Sequence, residues 1–251
     1  VYYGCVPVPI DSPEAQLIIP YVRKVLDALQ FANGPSHGEV ILTKDGPCLV
    51  EMNCRARGGD GNWRSLAKAL TGGYSQVEAA VDAYLDAPRF HRMPDVPPSP
   101  FKASGTEIIL VSYGKGKVKD MPGYKLIRKL PSFVFLETGV KIGSHVDYTV
   151  DLFTGIGSVI LMHKEQAVLE RDVHFIRYME EIHGLFEFET KVETLARPSG
   201  NDSFYYGDSA PGPKLDRTLS FAREQDIFQH RPLTKKMTTG DAAQEAVVSV
   251  D

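Results

Sequence analysis

The sequence predicts an α+β protein in which an antiparallel sheet is flanked by helices. Three observations indicate this class. Apolar residues recur at helical spacing between Pro13 and Leu29. Two short apolar strands then surround the turn signal "KDGP". After residue 100, several further strands are followed by an amphipathic helix that starts near Glu165, with its charged residues expected opposite the apolar face.

Composition limits the kinds of function to consider. The 251 residues are 43% hydrophobic and 24% charged, as in globular proteins. The net charge of −4 argues against nucleic acid as the main partner, since phosphate binding needs a basic face. No apolar run reaches the length of a membrane span, and three cysteines without zinc-like spacing favour a reduced, cytoplasmic compartment. The oligomeric state is left open, with a homo-oligomer as one option.

The first half of the chain is predicted to hold three helices and a hairpin. Ser12 caps the first helix and Pro13 takes its first position, while Pro20 is expected to kink or restart it. Two helices follow the hairpin, "NWRSLAKAL", which ends at Gly72-Gly73, and "SQVEAAVDAYLD".

The chain is predicted to divide into three parts. Residues 1–100 form one domain, whose last segment is a proline-rich surface crossing. Residues 101–190 form a small α+β subdomain, in which the turn "YGKG" is expected to join two strands. Residues 191–251 are expected to be a disordered tail, because Ser, Gly, Pro, Thr and Asp dominate them without periodicity. The opening on Val1 predicts that the chain is a piece of a longer protein.

The hairpin carries two carboxylates, and its register decides whether they meet. A two- or four-residue loop would place Glu39 opposite Met52, on a different face from Glu51. A three-residue loop over 44–46 pairs Glu39 with Glu51 and suits a glycine at its last position. This register also gathers the apolar residues on one face, namely Val40, Leu42, Val50 and Met52, with Leu49 on the acidic face. We therefore predict the three-residue loop.

Paired carboxylates need compensation, because like charges so close together destabilise a sheet. Arg55 could neutralise them in a purely structural arrangement. Alternatively, Glu39, Glu51 and Asn53 could bind a hard divalent cation, which prefers oxygen ligands. The residues alone leave both alternatives open. His37 shares the acidic face and is expected to be a hydrogen-bonded strand histidine, while Arg57 is expected to be a solvated charge.

The ordered set from "NGPSHGEVILTKDGPCLVEMNCRARGG" resembles the C-terminal half of the ATP-grasp fold. It is most similar to carboxylate–amine ligases such as L-amino-acid ligases and carnosine-synthase-like enzymes, whose pattern is an acid followed by Glu-x-Asn-x-Arg and glycines. Residues 106–182, with "LPS", "TVDLFTGIGSV" and the closing helix, are similar to the small C-terminal subdomain of these ligases.

This resemblance implies an ATP-dependent reaction in which a carboxylate is activated as an acyl phosphate and attacked by an amine. Glu39, Glu51 and Asn53 match positions that hold Mg²⁺ (or Mn²⁺) on the ATP phosphates. Arg55 matches a position that steadies the carboxylate or acyl phosphate and is the candidate catalytic residue. Gly58 and Gly59 match positions where the backbone approaches ATP. A small carboxylate is the implied substrate.

The sequence also departs from the family. The 38 residues before Glu39 are too few for the lid that holds adenine and for the lysines that reach the phosphates. The 251-residue chain alone is therefore expected to be inactive, as the C-terminal part of a ligase. One alternative is a catalytically inactive ATP-grasp remnant that acts as a binding module. Another is a structural calcium or magnesium module, which leaves Arg55 and the glycines unexplained.

Overall fold

In a computed structural model of the chain, residues 2–59, 61–190, 193–194 and 246–250 are described. These ranges contain six helices: α1 Pro13–Ala28, α2 Arg64–Thr71, α3 Gln76–Leu85, α4 Ala87–Phe90, α5 Pro122–Ile127 and α6 Gln166–Glu181. They also contain eleven strands: β1 Gly4–Cys5, β2 His37–Thr43, β3 Gly46–Asn53, β4 Ser104–Leu110, β5 Gly114–Asp120, β6 Phe133–Glu137, β7 His145–Val146, β8 Gly157–His163, β9 Glu187–Phe188, β10 Glu193–Thr194 and β11 Ala246–Val250. The mixture of helices with antiparallel sheets confirms the predicted α+β class.

Helix α1 begins as the sequence predicts. The hydroxyl of Ser12 accepts a hydrogen bond from the Ala15 amide at 3.1 Å, which satisfies one of the free donors of the first turn. The helix continues through Pro20 and does not restart there. Ile18 and Val22 on its inner face pack against Val40 of β2. This contact seats the helix on the hairpin.

The hairpin strands belong to a three-stranded sheet of order β11-β2-β3. Strand β11 pairs antiparallel with β2 and places Ser249 opposite Glu39. The sequence predicted disorder for 191–251, so this strand differs from the prediction. It contains three valines, but the run is too short to be distinguished from a polar tail by periodicity. Apart from β10 and β11, the predicted disordered tail lies outside the described residues.

The second sheet has the order β1-β4-β8-β6, and all its pairs are antiparallel. Strands β4 and β5 do not form the expected hairpin, because β5 pairs instead with β7, β9 and β10. Leu66 and Leu70 of α2 pack against Ile160 of β8. Helix α2 is therefore anchored on this sheet, although it follows the hairpin in the chain.

Helix α6 differs from its predicted pattern. Four residues of the predicted apolar face are buried, namely Leu169, Val173, Ile176 and Met179. So are Asp172, Arg177 and Glu180, which the sequence placed on a charged outer face. Arg177 and Glu180 form an ion pair at 2.8 Å with side chains that are 6% and 1% exposed. Such burial is tolerated because each charge has a partner. Among the described residues, no helix is long and apolar enough to cross a membrane.

Helices α2 and α3 are linked by Glu78, whose carboxylate accepts hydrogen bonds from Ser75, Arg64 and Lys68. Burial opposes the charge of Glu78, but these three donors outweigh it and lower its pKa to about 2. A group with a lowered folded-state pKa contributes stability above its unfolded pKa and loses it as the pH falls. The contribution of Glu78 is therefore lost between about pH 4.5 and about pH 2.

This linkage predicts a pH-dependent difference between the natural protein and Glu78→Gln. The substitution should destabilise the protein at neutral pH, and the difference should shrink as the pH falls from about 5 to about 3, because Glu78 takes up a proton in the unfolded state over this range while it stays ionised in the folded state. Urea denaturation at several pH values measures it. A difference that stays constant over this range would contradict the role given to Glu78.

Candidate functional site

The predicted meeting of the two carboxylates is confirmed, although the predicted loop is wrong. Thr43 pairs with Gly46, so the loop contains two residues, Lys44 and Asp45. Glu39 nevertheless pairs directly with Glu51, because the register shifts by one residue between Glu39 and Val40. A β-bulge on β3 produces this shift, since it inserts one extra residue into one strand of an antiparallel pair.

The bulge also changes which residues face the core. Val40 pairs with Leu49, and Val50 is the extra residue. Leu49 packs with the hydrophobic cluster under α1, and its amide donates to the Tyr21 hydroxyl at 3.0 Å. Val50 is 52% exposed. The prediction had placed Val50 in the core and Leu49 on the acidic face, so these two assignments are exchanged.

Four polar residues share the outer face of the hairpin. His37 pairs with Asn53 and Glu39 with Glu51, and the pair of Gly38 with Met52 lies between them, so all four side chains project from the same face. The amide nitrogen of Asn53 donates to Glu51 Oε1 at 2.7 Å. His37 Nε2 lies 3.6 Å from Glu39 Oε1, and their side chains are 8% and 39% exposed. The buried histidine agrees with its predicted role as a strand residue with a polar contact.

Arg55 follows the hairpin but is not its counter-ion. Within the described part of the chain, no ion pair joins Arg55 to Glu39 or Glu51, and its Nη1 donates to the Ala56 carbonyl at 3.0 Å. The same nitrogen would lie 3.9 Å from a Cβ atom added at Gly58. Gly59 has a φ of +86°, a conformation that favours glycine. The exposed guanidinium therefore lies beside the glycine turn.

The donor set on the outer face suits a hard cation with few protein ligands. Among the described residues, no group of three or more His, Cys, Asp or Glu side chains is placed to hold a metal ion. The possible ligands on the hairpin are only two carboxylates, from the paired glutamates, and the side-chain amide of Asn53. The nitrogen of that amide points toward Glu51. Mg²⁺ is commonly bound by one or two carboxylates together with phosphate oxygens. The residues fit such a site.

Comparison with known proteins gives the fold its name. No protein-family model matches the chain. Dapdiamide A synthase of Enterobacter agglomerans is 26% identical over 164 residues, which are 64% of this chain and 37% of that protein. The crystal structure of L-amino acid ligase from Bacillus licheniformis matches with a TM-score of 0.55 and 17% identity, over 76% of this chain and 43% of the other. The described part of this chain therefore has the fold of one part of an ATP-grasp ligase.

A second solved structure has a similar likeness. Phosphoribosylglycinamide synthetase from Anaerococcus prevotii matches with a TM-score of 0.50 and 13% identity, over 76% of this chain and 44% of that chain. The chain spans less than half the length of each of these relatives. The resemblance to the ATP-grasp fold is thereby confirmed for a part of such a ligase. The predicted domain boundaries stay a prediction.

One residue within the stretch that resembles the ATP-grasp fold has a different environment from the one predicted. Arg57, expected to be a solvated charge, has a side chain that is only 18% exposed. Its Nη2 lies 3.2 Å from Glu107 Oε2 on β4, and the guanidinium lies 6.0 Å from the centre of the Trp63 ring. Burial raises the pKa of Glu107, and the charge of Arg57 opposes that rise.

The glycine turn after the ATP-grasp motif is held by further side chains. Gln76 accepts a hydrogen bond from the Arg57 amide and donates to the Ser36 carbonyl, both at 2.8 Å. The Trp63 indole donates to the Gly58 carbonyl, also at 2.8 Å. Sequence reasoning missed these residues because their partners are distant in the chain; Arg57 and Glu107 are 50 positions apart. The only sequence signal was the position of Arg57 within the motif.

Proposed function

We propose that this chain supplies the metal and phosphate side of the active site of an ATP-dependent carboxylate–amine ligase. The observation that carries the proposal is the pairing of Glu39 with Glu51, beside Asn53 and directly before the segment with Arg55 and the glycine turn. A bulge maintains this pairing although it opposes two negative charges. Such an arrangement is explained when a cation offsets the repulsion.

In the proposed site, Glu39, Glu51 and Asn53 would hold Mg²⁺ or Mn²⁺ against the phosphates of ATP. The cation supplies positive charge that offsets the negative charge spread over a transferred phosphoryl group. The Asn53–Glu51 hydrogen bond of 2.7 Å orients the amide and fixes one carboxylate oxygen. Second contacts of this kind hold metal ligands in their binding geometry.

Arg55 is the proposed catalytic residue. Its exposed guanidinium is not paired with the two glutamates, so it can hold the substrate carboxylate or the acyl phosphate formed from it. The planar fork of arginine matches either anion. Gly58 and Gly59 would let the backbone approach the phosphates, because no side chain stands in the way.

The proposed overall reaction joins a small carboxylate to an amine through an acyl phosphate. Two relatives carry names that fit amide formation, dapdiamide A synthase and L-amino acid ligase. ATP and a small carboxylate are the proposed ligands. The net charge of −4 and the three cysteines are the grounds on which we propose a cytoplasmic protein without a nucleic-acid partner.

Thermal denaturation with and without Mg²⁺ or Mn²⁺ tests the proposal. A cation that binds only the folded state raises the melting temperature. At a concentration of about ten times its Kd, it increases the free energy of unfolding by about 1.4 kcal/mol. In Glu51→Gln the metal effect should disappear, while the metal-free protein should be no less stable, because a like-charge pair has been removed. Glu170→Gln replaces an exposed glutamate on α6 and is the matched control; its melting temperature should still rise when the metal is added.

The structural alternative gives the opposite pattern. If the pair is held by a cation from the protein itself, neither metal changes the melting temperature and Glu51→Gln is destabilised. That combination of results would refute the metal site, even though the fold is similar to that of ATP-grasp ligases.

A further inference from the structure

We infer that Arg57 and Glu107 form a positioning pair, which holds the Gly58-Gly59 turn in the geometry that receives a phosphate. The inference rests on the proposed function, and it adds two residues that do not themselves touch the phosphate. They lie on different elements, Arg57 in the segment after β3 and Glu107 on β4 of the neighbouring sheet.

The charge of Arg57 is paired inside the protein. Its guanidinium is mostly buried, with Nη2 3.2 Å from a Glu107 oxygen on a side chain that is 11% exposed. Withdrawing Arg57 toward a ligand would leave Glu107 with a raised pKa and without this partner. Arg55 is exposed by contrast and makes no such pair within the described residues. The two arginines of the motif therefore have different roles.

The backbone around Arg57 is held by side chains from other parts of the chain. The described residues between β3 and α2, 54–59 and 61–63, lie outside any strand or helix. Side chains hold them instead, since Gln76 accepts from the Arg57 amide and Trp63 donates to the Gly58 carbonyl. Gln76 also reaches the Ser36 carbonyl directly before β2. Arg57 lies at the centre of this network, so its contact with Glu107 ties the turn to the second sheet.

Different parts of the protein therefore fix the metal ligands and the glycine turn. The proposed metal ligands lie on β2 and β3 and are fixed by strand pairing. The glycine turn is fixed by the Arg57 network. Loss of the pair should therefore leave metal affinity intact and weaken phosphate binding.

The experiment compares Arg57→Gln and Glu107→Gln with the natural chain. Mn²⁺ affinity is measured by electron paramagnetic resonance, and pyrophosphate affinity by calorimetry with Mn²⁺ present. We expect Mn²⁺ affinity within about twofold of the natural value, as for an uncoupled site. Pyrophosphate binding should weaken about tenfold in both variants, as when supporting contacts of a site are lost. Arg57→Lys should recover part of it, because the charge returns without the fork.

Two outcomes would overturn the inference. If Arg57 binds the phosphate directly, Glu107→Gln releases it and pyrophosphate binds more tightly. If both variants bind pyrophosphate as the natural chain does, the pair does not position the turn and the proposed function stands unchanged. Arg89→Gln, which breaks the ion pair of Arg89 with Asp82 on α3, is the control and should alter neither affinity.

A ligand-free measurement separates this inference from the proposed function. Amide hydrogen exchange over residues 54–59 should become faster in Arg57→Gln and in Glu107→Gln, with little change in β2 and β3. If the natural chain binds neither Mn²⁺ nor pyrophosphate, the proposed function fails and exchange alone decides the positioning role. Unchanged exchange in both variants would then overturn it. The double variant Arg57→Gln/Glu107→Gln leaves no unpaired charge and should resemble each single variant, because the pair acts as one unit.

Discussion

Replacing Glu180 with Gln should lower the free energy of unfolding by about 3–5 kcal/mol, the usual loss when one member of a buried ion pair is removed. Both oxygens of Glu180 accept hydrogen bonds from Arg177 at 2.8 Å, and Oε1 also accepts from the Val111 amide at 3.0 Å. The substitution leaves the guanidinium of Arg177 charged in a site that is 6% exposed. Urea denaturation at neutral pH measures the loss.

A double variant separates the cost of leaving one charge unpaired from the cost of losing the other contacts of these side chains. Arg177→Met/Glu180→Leu removes both charges, so it should be less destabilised than Glu180→Gln. It should not regain full stability, because Arg177 also donates to the carbonyls of Tyr3 and Ile109. Glu170→Gln, exposed on the same helix, should change stability by less than about 0.5 kcal/mol. A single variant as stable as this control would show that Arg177 finds another partner.

Replacing Ile160 with Ala should cost about 2–5 kcal/mol, since the substitution leaves a cavity in a closely packed core. Ile160 is fully buried and forms one cluster with Leu66 and Leu70 of α2. The same helix is preceded by Trp63, whose indole holds the Gly58 carbonyl. Denaturant melts measure the loss, and hydrogen exchange in α2 should become faster because the helix loses its main apolar contact.

The matched control for Ile160 is Val134→Ala on β6. Val134 is 38% exposed, so its truncation should change stability by less than about 0.5 kcal/mol. Equal losses in the two variants would mean that α2 does not depend on this cluster.

The hairpin shows how far the sequence determines the candidate site. Glu39 opposite Glu51 could be predicted, because other registers mix acids with aliphatic residues on both faces. The loop length and the bulge that produce this pairing could not be predicted. A three-residue loop and a two-residue loop with one bulge shift the register equally, and they differ only in whether Leu49 or Val50 faces the core. Since both side chains are aliphatic, the apolar pattern does not separate the two solutions.

The burial of charged residues could not be predicted from the sequence. Periodicity correctly located α6, yet it assigned Arg177 and Glu180 to solvent because charged residues are rarely buried without partners. Arg177 and Glu180 pair with each other three positions apart, but the backbone groups that complete their hydrogen bonding lie in distant parts of the chain, as Glu107 does for Arg57. Local patterns contain no information about such distant contacts. The ATP-grasp fold was predicted nonetheless, because the ordered set of residues that resembles this fold lies within the N-terminal 59 residues.

The position of a bound cation tests the central claim most directly. Crystals of the 251-residue chain grown with Mn²⁺ and pyrophosphate would show the metal by its anomalous scattering. The account predicts one ion within about 2.5 Å of oxygens from Glu39, Glu51 and Asn53, with pyrophosphate oxygens completing its coordination. An ion bound elsewhere would contradict it, as would a metal-free hairpin in which Arg55 or His37 bridges both carboxylates.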